Sequence, residues 1–182
     1  IMLDNSSIFM QEPNDLRRRV GMVFTEPVLF AGTVLHNITA GLRLQGIRKK
    51  QALEERAEET LRRMEIYKEF RDMLYTDSSR LTRGQAQLTC IARALALRPG
   101  LLLLDEPVAG LDPAAAAEMY GIIASLNREE KTTIMMISHD IDAAIKYASH
   151  ILHIGERKPL FFGTTDAYVS SGIAGSLKGE TK

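Results

Sequence analysis

Residues 101–113 read LLLLDEPVAGLDP, and the fold turns on how they are taken. Four successive leucines predict a parallel strand buried on both faces, not a half-exposed surface strand. The run stops at two carboxylates, Asp105 and Glu106, and then Pro107. In open α/β sheets, ligand chemistry collects at the carboxyl ends of the strands. Asp105 can offer oxygen to a hard cation such as Mg²⁺, directly or through water. Glu106, one residue on, can orient or deprotonate a water. Taken alone, the segment also describes a buried strand that runs into a solvated acidic turn.

The flanks narrow the choice. Upstream lies LTRGQAQLTCIARALALRPG, residues 81–100. Gly84 permits close backbone approach there, and successive N–H groups at a helix N-terminus favour an anion. Leu88, Ile91, Ala92 and Leu95 make an apolar stripe, and Arg98-Pro99-Gly100 ends the helix. Downstream of the carboxylates, Asp112 suits a helix N-cap with Pro113 at the first helical position. Met119, Ile122, Ile123 and Leu126 form the buried stripe of that helix. Residues 132–137, TTIMMI, read as another buried strand, followed by Ser138, His139 and Asp140.

Taken in order, these segments resemble the nucleotide-binding domain of ABC transporters. LTRGQ (81–85) is similar to the family's LSGGQ signature and LLLLDE to its Walker B motif. AGLD (109–112) is similar to its D-loop, and ISHD (137–140) to its switch-histidine segment. The resemblance covers nearly the whole chain. It implies an α/β sheet of the P-loop NTPase type, with a helical subdomain inserted. It also implies ATP and Mg²⁺ as cofactors and ATP hydrolysis coupled to solute transport. The partners it implies are a transmembrane permease subunit and a second nucleotide-binding subunit, arranged head to tail. The place it implies is the cytoplasmic face of a membrane. In that scheme Asp105 holds Mg²⁺ through water, Glu106 is the base, and His139 donates to the γ-phosphate or holds the attacking water. Thr82, Gly84 and Gln85 clamp the ATP of the opposite subunit, and Asp112 belongs to the D-loop.

The sequence departs from the family pattern at several points. Thr25 stands where the Q-loop has glutamine, with a shorter side chain and a hydroxyl in place of an amide. Arg83 replaces the first glycine of the signature pair and adds bulk and positive charge on the phosphate side. Ala109 replaces the first serine of the D-loop, and Leu88 breaks the polar run after the signature. The sequence contains no Gly-Lys dipeptide and so no G-x-x-x-x-G-K-[ST] phosphate loop. The expectation is therefore an amino-terminally truncated domain lacking the strand, P-loop and helix that precede Ile1. Two core strands would then lose a neighbour, and the chain alone would be poorly stable or aggregate.

The 182 residues suffice for one domain with a sizeable core. We expect the α/β core at 1–26 and 88–171, the helical subdomain with the signature loop at 27–87, and a loose tail at 172–182. A short helical turn capped at Asn14 or Asp15 is expected before the strand at 21–24. Helices are expected at 33–44, 49–64, 67–74 and 140–149, and a hairpin from 150 to 163 precedes a last helix capped by Thr164 or Thr165. Lys and Arg together number 23, as do Asp and Glu, so no global charge points to nucleic acid. Cys90, the one cysteine, falls on a predicted helix as a packed thiol, which excludes a disulfide within the chain. No apolar run reaches the length of a membrane span, so membrane association would come through a partner. His36 reads as structural. His150 and His153 are three apart on a strand and face opposite sides, which argues against a metal pair.

Two functional readings remain. One is the ATPase subunit of an importer for a metal ion or another small solute. The other is a non-catalytic docking or regulatory module. The absent P-loop, Thr25, Arg83 and Ala109 favour the module, whereas Asp105, Glu106 and His139 favour the ATPase. A DNA-repair or translation ATPase would bring a long coiled-coil insertion or paired nucleotide domains, and neither is in the sequence.

Overall fold

The computed structural model describes residues 1–155 and 157–173. Two short strands, β1 (Met2–Leu3) and β2 (Ser6–Ser7), pair antiparallel ahead of helix α1 (Pro13–Arg19). Glu12 is the N-cap of α1 and Pro13 its first residue, so the helix starts earlier than a cap at Asn14 or Asp15 would place it. Proline's fixed φ suits that first position. Then come β3 (Val20–Val23), α2 (Val34–Leu44), α3 (Lys50–Arg63), α4 (Tyr67–Phe70) and α5 (Arg83–Leu95). β4 (Leu101–Asp105), α6 (Pro113–Arg128) and β5 (Thr133–Ile137) complete the first unit, which ends at Ile137.

β3, β4 and β5 form one parallel sheet in that order. The register sets Val23 beside Leu104 and Leu104 beside Met136, and Asp105 faces Ile137. The leucine strand is not buried on both faces. Leu102 and Leu104 are buried, whereas Leu101 and Leu103 keep partial exposure. The same alternation runs across the sheet, with Met22 and Met135 exposed beside Leu103. α5 packs on β3 and α6 on β5; Val23, Leu102 and Leu104 are buried, and Ile134 and Met136 are partly buried against the same core. A run of one residue type has no period, so it cannot reveal which face is covered.

The helical layer is fully packed. Val34, Ile38 and Leu42 of α2, Leu53, Ala57 and Leu61 of α3, and Ile91 and Leu95 of α5 are all 5% exposed or less and share one core with Leu102 and Leu104. These positions recur at helical spacing, which is why the apolar stripes were legible. α2 is capped by Thr33, whose hydroxyl accepts from the His36 N–H at 3.1 Å, and Gly46 past its end sits at φ +90°. Buried Asn37 holds the preceding loop: its Nδ2 donates to the Phe30 carbonyl at 2.9 Å, and its Oδ1 accepts from the Phe30 N–H at 2.8 Å.

The second unit begins at Ser138. It holds α7 (Ile141–Tyr147), β6 (His150–Gly155), β7 (Lys158–Thr164) and α8 (Thr165–Ser170). Asp140 caps α7 through the Ala143 N–H at 2.9 Å, and Thr164 caps α8. β6 and β7 pair antiparallel with an irregularity between His153 and Ile154. His153 Nδ1 lies 2.8 Å from the hydroxyl of buried Tyr168, while His150 Nδ1 lies 3.2 Å from Ser149 Oγ. Burial pushes the Tyr168 phenol upward. Glu156 and the tail from residue 174 lie outside the described residues.

Candidate functional site

Asp105 closes β4, and parallel pairing brings the end of β3 alongside it. Thr25 lies two residues beyond Val23, and its Oγ1 donates to Asp105 Oδ2 at 3.1 Å. The threonine hydroxyl thus meets the carboxylate that closes the leucine strand. Glu106 follows with φ +45°, a left-handed backbone that costs a non-glycine residue roughly 1 kcal/mol or more. Its N–H donates to the Ile137 carbonyl at 3.0 Å, and its own carbonyl accepts from Ala109 at 3.0 Å. The turn after the leucine strand is thus pinned to β5 on one side and to itself on the other.

Asp112 caps α6. Its Oδ1 accepts from the N–H groups of Ala114 and Ala115, both at 3.0 Å, with Pro113 next in line. Thr82 and Gln85 form a reciprocal capping box at the start of α5. Thr82 Oγ1 accepts from the Gln85 N–H at 3.3 Å, and Gln85 Oε1 accepts from the Thr82 N–H at 3.2 Å. An added Cβ on Gly84 would meet only Leu111 Cδ2, at 3.8 Å. Nothing in the chain's own packing requires a glycine there, which leaves its bare backbone open to a group from outside.

Arg83 lies across this end of the sheet. Its Nη1 and Nη2 each donate to Glu26 at 2.9 Å, and its Nε donates to the Ala109 carbonyl at 2.9 Å. The guanidinium holds the Glu26 carboxyl below its ordinary range, and Glu26 raises Arg83 in turn. The side chain lies against Gly110, where a Cβ would come within 3.0 Å of Arg83 Nε; the φ of +72° at that residue also calls for glycine. The charge of Arg83 is thus answered within the chain and does not stand alone.

His139 belongs to the second unit. It is exposed and directly precedes Asp140, the cap of α7. Among the expected residues, Thr25, Asp105, Glu106, the 82–85 segment and Asp112 all belong to the first unit.

Glu26 and Gln87 were not singled out in the sequence. Gln87, buried on α5, donates from Nε2 to the Phe24 carbonyl at 3.0 Å, and its Oε1 is buried with no hydrogen-bond partner. A signal for Glu26 did exist: an arginine at a position read as glycine calls for a counter-ion, and Glu26 is the one acid between Phe24 and Phe30.

Thr25 and Asp105 could hold a hard cation. Among the described residues, no group of three or more His, Cys, Asp or Glu side chains comes together. Such a cation would take most of its oxygens from water and phosphate, as Mg²⁺ commonly does. A cleft of about 540 Å³ lined by Arg63, Arg98, Gly100 and Thr132 lies at the other end of the strands, and Glu130 and Glu59 pair with its two arginines.

A family model described as ABC transporter matches residues 1–109. This chain belongs to the ABC transporter family. A phosphate import ATP-binding protein, PstB 1, of Yersinia pestis bv. Antiqua (strain Antiqua) is 36% identical over 156 residues, which are 86% of this ABC chain and 57% of the relative. The PstB phosphate import ATP-binding protein of Alcaligenes faecalis is 37% identical over 157 residues, or 85% and 53% of the two chains. This ABC family member thus spans about half the length of the curated relatives it matches. The solved structure of cbiO1 from Clostridium perfringens, described as part of the ABC transporter complex cbiONQ, matches 99% of this chain and 72% of its own. The TM-score is 0.81 and the sequence identity 24%. That likeness gives the α/β fold of an ABC subunit. Among the described residues, no helix is long and apolar enough to cross a membrane.

Proposed function

We propose that this chain is part of the ATP-binding subunit of an ABC importer, which hydrolyses ATP to drive uptake of a small solute. The observation that carries this reading is the Thr25–Asp105 pair beside Glu106 at the carboxyl edge of the parallel sheet. ATP and Mg²⁺ are the cofactors, and Mg²⁺ stabilises charge on the transferring phosphoryl group when bound. Asp105, oriented by the Thr25 hydroxyl, would hold that cation through water. Glu106 takes the proton from the attacking water, and its strained backbone fixes where its carboxylate leaves the chain. His139, in the second unit, is assigned the switch-histidine role that the ISHD resemblance implies.

The start of α5 meets the nucleotide of a second nucleotide-binding subunit. Gly84 lets phosphate approach the backbone, and Thr82 and Gln85 hold the helix end rigid through their capping box. Arg83, its charge answered by Glu26, stands beside that helix end. Asp112 acts from the D-loop, chiefly by fixing the start of α6. The permease partner places the subunit at the cytoplasmic face of a membrane. The import named for the PstB relatives supports an importer and makes phosphate the first solute to assay.

The test is Mg²⁺-dependent ATP hydrolysis by the intact gene product assembled with its permease. Glu106→Gln is expected to keep nucleotide binding and to lower kcat by about 10²- to 10⁴-fold. Full activity in that variant would remove Glu106 as the base. Absence of any nucleotide binding by the parent protein would sink the ATPase reading.

A further inference from the structure

One face of α5 grips the whole loop from Phe24 to Phe30. Arg83, Gln87, Cys90 and Arg93 follow each other at helical spacing. Arg83 holds the Glu26 carboxylate, and Gln87 holds the Phe24 carbonyl at 3.0 Å. Cys90 Sγ lies 3.7 Å from the Val28 carbonyl, and Arg93 Nη2 donates to the same carbonyl at 2.9 Å. The Arg93 guanidinium also stands 4.8 Å over the Phe30 ring. Thr25, whose hydroxyl meets Asp105, sits between the two residues tied most directly to the first turns of α5. Arg83 alone among these side chains reaches a second loop, through the Ala109 carbonyl at 2.9 Å.

We propose that Arg83 is a positioning residue that locks three segments into one unit: the loop carrying Thr25, the loop carrying Ala109 and Gly110, and the amino end of α5. It acts through Glu26 and through the Ala109 carbonyl, never on substrate. The planar fork fits this task, because two parallel bonds to one carboxylate leave Nε free for a third acceptor at a fixed angle. A lysine has one charged point and cannot hold both partners in that geometry. A shift of α5 therefore moves Thr25 relative to Asp105 and, in the same step, moves the Ala109 carbonyl. The consequence for nucleotide chemistry rests on the ATPase reading above; the linkage between the loops does not.

Hydrogen exchange on the intact gene product tests the linkage. Glu26→Ala is the informative variant, because Glu26 bonds to Arg83 and Ala109 bonds to Arg83. We expect Glu26→Ala to speed exchange of the amides at 24–26 and also of those at 109–111, by about two- to fivefold, the range of an exposed but well-formed ion pair. In an Arg83→Ala background, Glu26→Ala is expected to add nothing at 109–111. The swap Glu26→Arg with Arg83→Glu is expected to recover protection at 24–26 but not at 109–111, because glutamate has no donor for the Ala109 carbonyl. Arg83→Lys is expected to lose the 109–111 effect first. Unchanged exchange at 109–111 in Glu26→Ala, or additive effects in the double variant, overturns the proposal. All these side chains lie on the surface or half-buried, so misfolding does not confuse the result.

A second readout is the Mg²⁺ concentration that gives half-maximal ATP hydrolysis. It should rise in Arg83→Ala and Glu26→Ala by the same few-fold and no further in the double variant, with KM for ATP changed less. A shift confined to KM overturns the positioning role. If the parent protein hydrolyses no ATP, the functional reading falls while the exchange data still decide the linkage.

Discussion

In α2, α3 and α5, the side chains of Ile38, Leu61 and Ile91 are fully buried, whereas Met22, Met135 and Ile137 on the sheet are more than half exposed. Both sets are apolar and both come from regular elements. The difference is how many sides each element has covered. A helix needs one apolar stripe met by neighbours, and α2, α3 and α5 meet one another. A strand presents two faces, and a parallel sheet is ordinarily covered on both. Here α5 and α6 take the face of Leu102 and Leu104, and the alternate residues keep contact with water. The helical layer thus holds itself together, while the sheet keeps apolar surface in reserve.

Substitutions can break or sharpen that contrast. The largest effect is expected for Ile91→Ala, which empties a fully buried site between helices and should cost about 3 kcal/mol of unfolding free energy in a urea titration. If it costs less than Met135→Ala, the contrast is wrong. Next comes Asp112→Ala, which removes the cap of α6 and should cost about 1 kcal/mol. Asp112→Asn should recover most of it. Met135→Thr and Ile137→Thr should leave stability within about 0.5 kcal/mol, because these side chains bury little, yet they should raise the concentration at which the protein stays monodisperse by light scattering. Aggregation unchanged by both would mean the exposed sheet face is not its source.

The smallest expected effect is one of pH. The folded Glu26 carboxyl lies below its ordinary range because of Arg83. Its contribution is therefore complete above the ordinary glutamate value and is lost as pH falls through the lowered one. Amide protection at 24–26 should stay flat down to the ordinary glutamate range and drop only below it, and Arg83→Ala should remove that acid limb.

Elements that rest on spacing or local chemistry were legible in the sequence. The Leu53–Ala57–Leu61 repeat gave α3, and Asp112-Pro113 gave the start of α6. Asp105, singled out at the end of the leucine strand, is where the Thr25 hydroxyl meets the sheet edge. The half-exposed Leu103 was not legible, because burial of a strand face depends on what packs there. Nor was the meeting of Arg83 with Glu26, 57 residues apart. Each residue looks like an ordinary surface charge until β3 and α5 are brought together. Thr25 shows the limit most clearly. Its bond to Asp105, 80 residues away, depends on the parallel pairing of β3 with β4 and could not be read from the residue alone.

The fit of Arg83 against Gly110 also bears on the order in which this site could have changed over time. While the arginine lies there, any side chain at residue 110 meets its guanidinium as well as an unfavourable backbone angle. A substitution at 110 becomes less costly only after residue 83 has shortened, whereas residue 83 can shorten at any time. The two positions therefore form a one-way ratchet in mutational history. The same replacement at 110 should cost less in a chain with a short residue 83, while the positive φ keeps it unfavourable in both.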